Sequence, residues 1–228
     1  MILMMKKMIS PSMMCADIFA LGETLKTFEE NGVSYLHIDV MDGEFVPNFT
    51  LGTDYCRIMK RAVSIPLDIH LMINDPEKKL SWFDFGEGDI VSVHFESTKH
   101  PYLALQMIRE RGAKAFLAIN PGTAASVILP MLSVMDGVLV MTVNPGFAGQ
   151  KLAESTLAKI SEVRDLAVKA GKADLLIETD GNVSFENAVR MSRAGADIFV
   201  AGTSSVFRKD MTLGEGIKKL TECIEVTV

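Results

Sequence analysis

Eight short runs of β-branched and other apolar residues recur along the chain, each followed by a turn and a segment with helical spacing. Such runs are typical of buried strands. Strands that alternate with helices pair in parallel through right-handed crossovers. Eight units in 228 residues without a Pro- or Ser-rich linker predict a single (β/α)8 barrel, a TIM barrel, spanning residues 1–228 as one domain. The predicted strands are residues 9–14, 35–41, 66–73, 90–94, 115–120, 138–143, 175–179 and 198–201.

Glycines mark the predicted ends of four helices. Gly32, Gly112, Gly171 and Gly195 each follow a helical stretch, at a position where a left-handed cap is favoured. The last predicted helix has apolar residues at three-and-four spacing over residues 213–224. A doubly wound open sheet is the alternative architecture, but no Gly-x-Gly-x-x-Gly motif follows the first strand. These signals favour the barrel.

The charge balance argues against nucleic acid and membrane partners. The chain has 23 Lys and Arg against 29 Asp and Glu, a net charge of −6, so no basic surface is expected. No apolar run reaches the length of about 18 residues that suggests a membrane helix, and the apolar stretch in residues 1–8 is shorter than that of a signal peptide. Cys15, Cys56 and Cys223 lack metal-like spacing, as expected for free thiols in a reducing cytosol. We therefore expect a soluble, cytoplasmic protein.

Reactive side chains collect at the carboxyl ends of three predicted strands, where barrel enzymes carry their sites. His37, Asp39 and Met41 alternate onto one face of the second strand, the third strand ends near His70, and the seventh leads into Asp180. Taken singly, a histidine in a strand is commonly a buried core residue with its hydrogen bonds made, and a carboxylate at a strand end can cap a helix. Two imidazoles and two carboxylates at equivalent ends instead suggest a site for Zn, Fe, Mn or Co.

Small residues follow the last three strands and predict a phosphate site. The sixth strand leads into residues 144–150, the seventh into Gly181 and Asn182, and the eighth into Gly202 and Thr203. Such turns let backbone N–H groups approach an anion closely, which matters here because no basic surface is expected. Ordinary strand-to-helix turns are the alternative explanation.

Two missing features narrow the enzyme class. No lysine lies at the carboxyl end of a predicted strand, since Lys114 opens the fifth strand, and a Schiff-base aldolase therefore lacks its nucleophile. No Gly-x-Ser-x-Gly motif is present either. His94 and Glu96 are interpreted as groups that support or wall the site. A non-catalytic phosphate-binding barrel and a decarboxylase-like or aldolase-like barrel stay open as alternatives.

The longest motif in the chain is His-x-Asp-x-Met-Asp-Gly-x-Phe-Val-Pro-Asn at residues 37–48. With it go Ser-Pro-Ser at residues 10–12, His-Leu-Met at 70–72, Met-Thr-Val-Asn-Pro-Gly-Phe at 141–147 and Asp-Gly at 180–181. Together these segments resemble the ribulose-phosphate 3-epimerase family, nearly from end to end.

The resemblance implies an isomerase that interconverts D-ribulose 5-phosphate and D-xylulose 5-phosphate. It implies one divalent metal ion and no organic cofactor, with Asp39 and Asp180 as acid and base, and a homo-oligomer, dimeric or hexameric. The implied metal ligands are His37, Asp39, His70 and Asp180. The implied substrate contacts are Ser12, Met41, His70, Met72, Met141, Gly146, Phe147, Ala148, Gly149, Asp180, Gly181, Asn182, Gly202 and Thr203.

Three departures from the family pattern lie in the phosphate loops. Ala148 and Asn182 stand where the family usually has glycine, and Gly202-Thr203-Ser204 replaces Gly-Ser. These residues resemble the allulose-6-phosphate 3-epimerase branch, which would form D-fructose 6-phosphate. Asn182 can adopt a left-handed backbone conformation and adds an amide. The sequence leaves the choice between a pentulose and a hexulose phosphate open.

Overall fold

The computed structural model describes residues 6–225, which contain a curled sheet. All eight predicted strands form, with ends that shift by at most three residues, and each pairs in parallel with its neighbours. Within the described residues the strands are β1 (Met8–Pro11), β2 (Leu36–Asp42), β3 (Phe49–Thr50), β4 (Leu67–Met72), β5 (Ile90–His94), β6 (Lys114–Ile119), β7 (Gly137–Met141), β8 (Leu176–Asp180) and β9 (Ile198–Ala201).

The barrel closes between its first two strands. β1 forms a full parallel ladder with β9 but meets β2 through one bridge, between Ser12 and His37. The N–H groups of Ser34 and Tyr35 also donate to the carbonyl of Ile9, at 3.1 and 3.4 Å. These contacts complete the (β/α)8 fold, as predicted. The short strand β3, which lies antiparallel to the end of β2, was not predicted because two residues carry no periodic signal.

The helices follow the predicted alternation except at two connections. After β4 and after β6 the chain forms 3₁₀ turns, not α-helices, so the expectation of eight similar units was wrong there. Pro76 opens the first of these turns and Pro130 lies inside the second, where it removes a backbone donor. The α-helices in the described residues are α1 (Leu21–Glu30), α2 (Thr53–Ala62), α3 (Pro101–Glu110), α4 (Ser155–Lys169), α5 (Phe185–Ala194) and α6 (Leu213–Ile224).

The glycines predicted to end helices do so. Gly32, Gly112, Gly171 and Gly195 all have φ between +66° and +111°, the left-handed region. In residues 6–225 no helix combines the length and the apolar character needed to cross a membrane. The interpretation of residues 1–8 falls largely outside the described part of the chain.

The inside of the barrel has an apolar floor. Tyr35, Ile90, Phe116 and Ile198 pack together at the amino-terminal ends of their strands. Gly137 makes room for this layer, because a Cβ atom there would lie 2.3 Å from the Phe116 ring. The floor seals one end of the barrel, so the polar interior residues above it face only the carboxyl end.

Candidate active site

Strand register brings the four predicted metal ligands together. Asp39 on β2 is the direct partner of His70 on β4, and His37 lies on the same strand face as Asp39. Asp180 ends β8, which is separated from β2 by β9 and β1. One nitrogen or oxygen atom from each of these four residues lies within 4.8 Å of the others. Asp39 Oδ1 is 3.3 Å from His37 Nε2 and 3.4 Å from His70 Nδ1, and Asp180 Oδ2 is 3.7 Å from His70 Nδ1.

The geometry fits a divalent ion. Four ligands at about 2.1 Å from a tetrahedral ion stand about 3.4 Å apart, close to the separations found here. Among the described residues, His37 Nε2 and His70 Nδ1 have no hydrogen-bond partner although both rings are fully buried. A buried imidazole nitrogen without a partner is destabilising, and an ion at this point would satisfy both atoms.

The far side of each imidazole ring is held by another buried side chain. Asp68 Oδ2 lies 2.6 Å from His37 Nδ1, and the Nε2 atoms of His70 and His94 are 2.8 Å apart. Burial lowers the pKa of His94 to about 4, so this ring is neutral near pH 7. His94 Nδ1 lies 3.3 Å from Glu96 Oε2. Both histidines of the site therefore have fixed orientations, and His94 and Glu96 support His70 from behind.

A layer of polar residues beneath the site was not identified from the sequence. Ser10 Oγ donates to Asp68 Oδ2 at 2.8 Å, and Glu178 Oε1 lies 3.7 Å from His37 Nδ1. Burial and the negative charge of Asp68 raise the pKa of Glu178 well above its usual value. A simple signal was available: Ser10, Asp68 and Glu178 each precede a predicted site residue by two positions, so they share its strand face one layer deeper.

The two site aspartates differ in their proton affinity. Burial, followed by the negative charge of Asp39, raises the pKa of Asp180 to about 6. Burial acts in the same direction on Asp39, but the neighbouring His37 and His70 outweigh it and hold the pKa of Asp39 well below its usual range. Ser12 Oγ also donates to Asp39 Oδ2 at 2.7 Å. Near neutral pH the pair therefore combines a carboxylate with a carboxyl that can carry a proton.

A pocket of about 590 Å³, including space open to solvent, lies above these residues at the carboxyl ends of the strands. Every predicted substrate contact lines it except His70, whose ring is buried between Asp39 and His94. Met14 and Cys15 line it without having been predicted, and Gln150 of the predicted phosphate loop lines it as well. The predicted residues in its wall are Ser12, Met41, Met72, Met141, Gly146, Phe147, Ala148, Gly149, Asp180, Gly181, Asn182, Gly202 and Thr203.

The predicted phosphate end of the pocket is made of tight turns. Gly181 has a φ of +117°, and a Cβ atom there would lie 2.5 Å from Val143. Within residues 6–225, the N–H groups of Gly181, Asn182 and Gly202 donate to no protein acceptor. No Lys or Arg is among the described residues that line the pocket. An anion here would therefore be bound by backbone N–H groups, as the sequence indicated.

Comparison with known proteins identifies the family. The model of the ribulose-phosphate 3 epimerase family matches residues 8–207. The chain belongs to this family. The resemblance drawn from the motifs is thus confirmed, and with it the enzyme class, a carbohydrate epimerase and so an isomerase.

Relatives of the epimerase family match most of the chain. The ribulose-phosphate 3-epimerase of Bacillus subtilis is 44% identical over 202 residues, covering 89% of this chain and 93% of the relative. The chloroplastic ribulose-5-phosphate-3-epimerase of Arabidopsis thaliana is 43% identical over 204 residues, covering 89% of this chain and 72% of the relative. Among solved structures, a mutant tryptophan synthase α-subunit from Pyrococcus furiosus superposes with a TM-score of 0.65 at 13% identity, covering 97% of this chain and 99% of that chain. This likeness supports the fold alone.

Proposed function

We propose that this epimerase interconverts D-ribulose 5-phosphate and D-xylulose 5-phosphate by proton transfer between two aspartates. The observation that carries the proposal is the position of the Asp39 and Asp180 carboxyl groups, which come from two different strands and meet at the base of one pocket. The names of the relatives support a ribulose phosphate as substrate.

Inverting C3 next to the C2 ketone requires a proton to leave one face of the carbon and another to arrive on the opposite face. Asp39 is ready to accept a proton from one face, and Asp180 can deliver one to the other. In the reverse direction the two residues exchange roles. Ser12 keeps the Asp39 carboxylate oriented through its hydrogen bond. Met41, Met72 and Met141 provide an apolar wall that keeps water from the enediolate between the two transfers.

We further propose that His37, Asp39, His70 and Asp180 hold one divalent metal ion, and that no organic cofactor is needed. Zn, Fe, Mn and Co all suit two imidazoles and two carboxylates. Such an ion would act as a Lewis acid that stabilises negative charge on the substrate oxygens. The unpartnered nitrogen atoms of the two buried histidines support this assignment.

A homo-oligomer, a dimer or a hexamer, is a further proposal that rests on the family. Large exposed apolar side chains are compatible with it. Phe19 is 97% exposed and Phe49 is 80% exposed, and an interface would remove such surfaces from water. Nucleic acid and membrane partners are not proposed.

D-allulose 6-phosphate is the second candidate substrate. Ala148, Asn182 and Thr203, which depart from the usual pattern of ribulose-phosphate epimerases, all line the phosphate end of the pocket. A shift of the phosphate position there would change the length of sugar that reaches Asp39 and Asp180.

The function is tested by offering D-ribulose 5-phosphate and D-allulose 6-phosphate separately to the metal-loaded enzyme and comparing kcat/KM. We expect a higher value for the pentulose, by about tenfold or more, because an extra carbon moves C3 away from two fixed carboxyls. The reverse ratio would assign the chain to the hexulose branch. Failure to turn over either sugar would contradict the epimerase proposal and favour a phosphate-binding barrel without catalysis.

A further inference from the structure

We propose that Asn182 is a positioning residue whose side chain fastens the loop after β7, residues 144–150, to the turn after β8. The fastened loop holds the phosphate end of the pocket in one binding shape. This inference rests on the proposed function, since it takes a sugar phosphate as the ligand of that end.

Both polar atoms of the Asn182 side chain are occupied within the protein. Nδ2 donates to the carbonyl of Gln150 at 2.7 Å, and Oδ1 accepts from Asn187 Nδ2, also at 2.7 Å. Asn187 Nδ2 also lies 3.1 Å from the Asn182 carbonyl. One N–H of Nδ2 and the oxygen Oδ1 of Asn182 therefore hold the loop and the turn together, while the second N–H of Nδ2 has no acceptor among the described residues. The side chain thus has an indirect role in addition to the donor that the sequence suggested.

The loop that Asn182 holds is otherwise fastened mainly to itself. Gln150 Nε2 donates to the carbonyls of Asn144 and Phe147, at 2.6 and 3.0 Å, which closes the loop at its base. On the far side, Asn48 Nδ2 donates to the carbonyl of Gly146 at 3.0 Å. Asn182 supplies the matching attachment on the side of β8. With both attachments the loop is held across the mouth of the pocket.

The anchor behind Asn182 is a helix. Asn187 lies in the first turn of α5 and is 9% exposed, and its N–H donates to the capping Ser184 Oγ at 3.2 Å. Its Oδ1 accepts from Arg190 Nη1 at 3.1 Å, and Arg190 forms an ion pair with Glu154 just before α4. The loop is thus connected to two packed helices. A site is held most firmly when its supports lie on such rigid elements.

The backbone explains why asparagine can serve here. Asn182 has a φ of +49°, a conformation that glycine and asparagine tolerate best. Glycine would permit the same turn but would offer no amide, so the loop would lose its attachment on this side. Backbone N–H groups bind an anion well only if they are already in place, because ordering a loop on binding weakens affinity.

The test is Asn182→Gly, with Asp75→Gly as the matched control. Asp75 is the other non-glycine residue with positive φ in the described chain, at +48°, and it lies outside the pocket. Both changes add the same backbone freedom, but only the first removes the attachment. For Asn182→Gly we expect KM for D-ribulose 5-phosphate to rise about 5–30-fold, the scale of two lost hydrogen bonds, with kcat within about threefold. Inhibition by inorganic phosphate should weaken by a similar factor, and Asp75→Gly should change neither.

Hydrogen exchange on the protein without substrate gives an independent measurement. The backbone N–H groups of Asn144 and residues 146–150 should exchange at least about tenfold faster in Asn182→Gly, and also in Asn182→Asp, which keeps the acceptor but loses the donor to Gln150. Unchanged hydrogen exchange in this loop would overturn the proposal. This holds even if phosphate affinity falls, since a loss of affinity without a change in the loop indicates direct contact between Asn182 and phosphate. If the wild-type enzyme did not epimerise ribulose phosphate, the proposed function would fail, whereas exchange would still decide whether Asn182 fastens the loop.

Discussion

Asp39→Asn and Asp180→Asn should each lower kcat/KM for epimerisation by at least about 10²–10⁴-fold, the usual scale for a positioned acid or base. Inversion needs one group to remove the C3 proton and another to supply one on the opposite face. The amide of asparagine does neither. The change is nearly isosteric, so each variant should fold, and the assays are made after metal has been restored because both residues are proposed ligands.

Deuterium exchange separates the two roles. Asp180→Asn retains Asp39, and so it should still exchange the C3 proton of one epimer with solvent deuterium while failing to invert that carbon. Asp39→Asn should do the same for the opposite epimer. Asp54→Asn is the control, since Asp54 lies on α2 with its side chain 80% exposed, and it should leave the rate unchanged. Turnover within a few-fold of wild type in either metal-loaded site variant would show that the substituted aspartate is not the catalyst.

Removal of metal should abolish activity, by at least about 10²-fold, and its return should restore it. Lewis-acid stabilisation contributes several kcal/mol in metal enzymes, and each 1.36 kcal/mol is tenfold in rate. Protein purified without chelator should contain about one transition-metal ion per chain, because the residues form one four-ligand site. Elemental analysis measures the metal content, and activity assays before and after chelation measure the dependence on metal. Full activity with less than stoichiometric metal after every attempt at reconstitution would contradict the proposal.

Asp68→Asn should weaken metal binding about 10–100-fold without removing a ligand. Asp68 Oδ2 faces His37 Nδ1 at 2.6 Å and so fixes the ring with Nε2 directed into the site. Titration with Co²⁺, followed by its visible absorption, reports both affinity and coordination. Ser10→Ala is the comparison, since it removes one bond to Asp68 but leaves the contact with His37 in place. Equal affinity in Asp68→Asn and wild type would show that His37 needs no such support.

Most of the barrel and its four proposed metal ligands could be predicted because both follow from local pattern. Buried parallel strands are continuous apolar runs, so a polar residue such as His37 or His70 within one stands out. The alternation of side chains then gives the strand face. The 3₁₀ turns after β4 and β6 were missed because Pro76 and Pro130 lie in segments whose apolar spacing otherwise resembles that of a helix.

Other parts of the site depend on contacts between distant segments. The strand face of Asp68 and Glu178 follows from side-chain alternation, but their contacts with His37 form only when the closed barrel brings the three strands together. The acceptor for Asn182 Nδ2 is a backbone carbonyl, which has no sequence signature. The difference in pKa between Asp39 and Asp180 likewise arises from burial and from neighbours on other strands.

The closure of the barrel also bears on the order of events during protein synthesis. The ladder of β1 pairs Met8 with Ile198 and Pro11 with Ala201, whereas β2 offers β1 little beyond one bridge. At about 5–20 residues per second, roughly 10–40 s pass between translation of the first strand and of the last. Throughout that interval β1 lacks its main partner and remains an open edge, which other chains could pair with. We therefore expect a nascent chain that stalls before Ile198 to retain ribosome-associated chaperones, and release to follow once β9 has emerged.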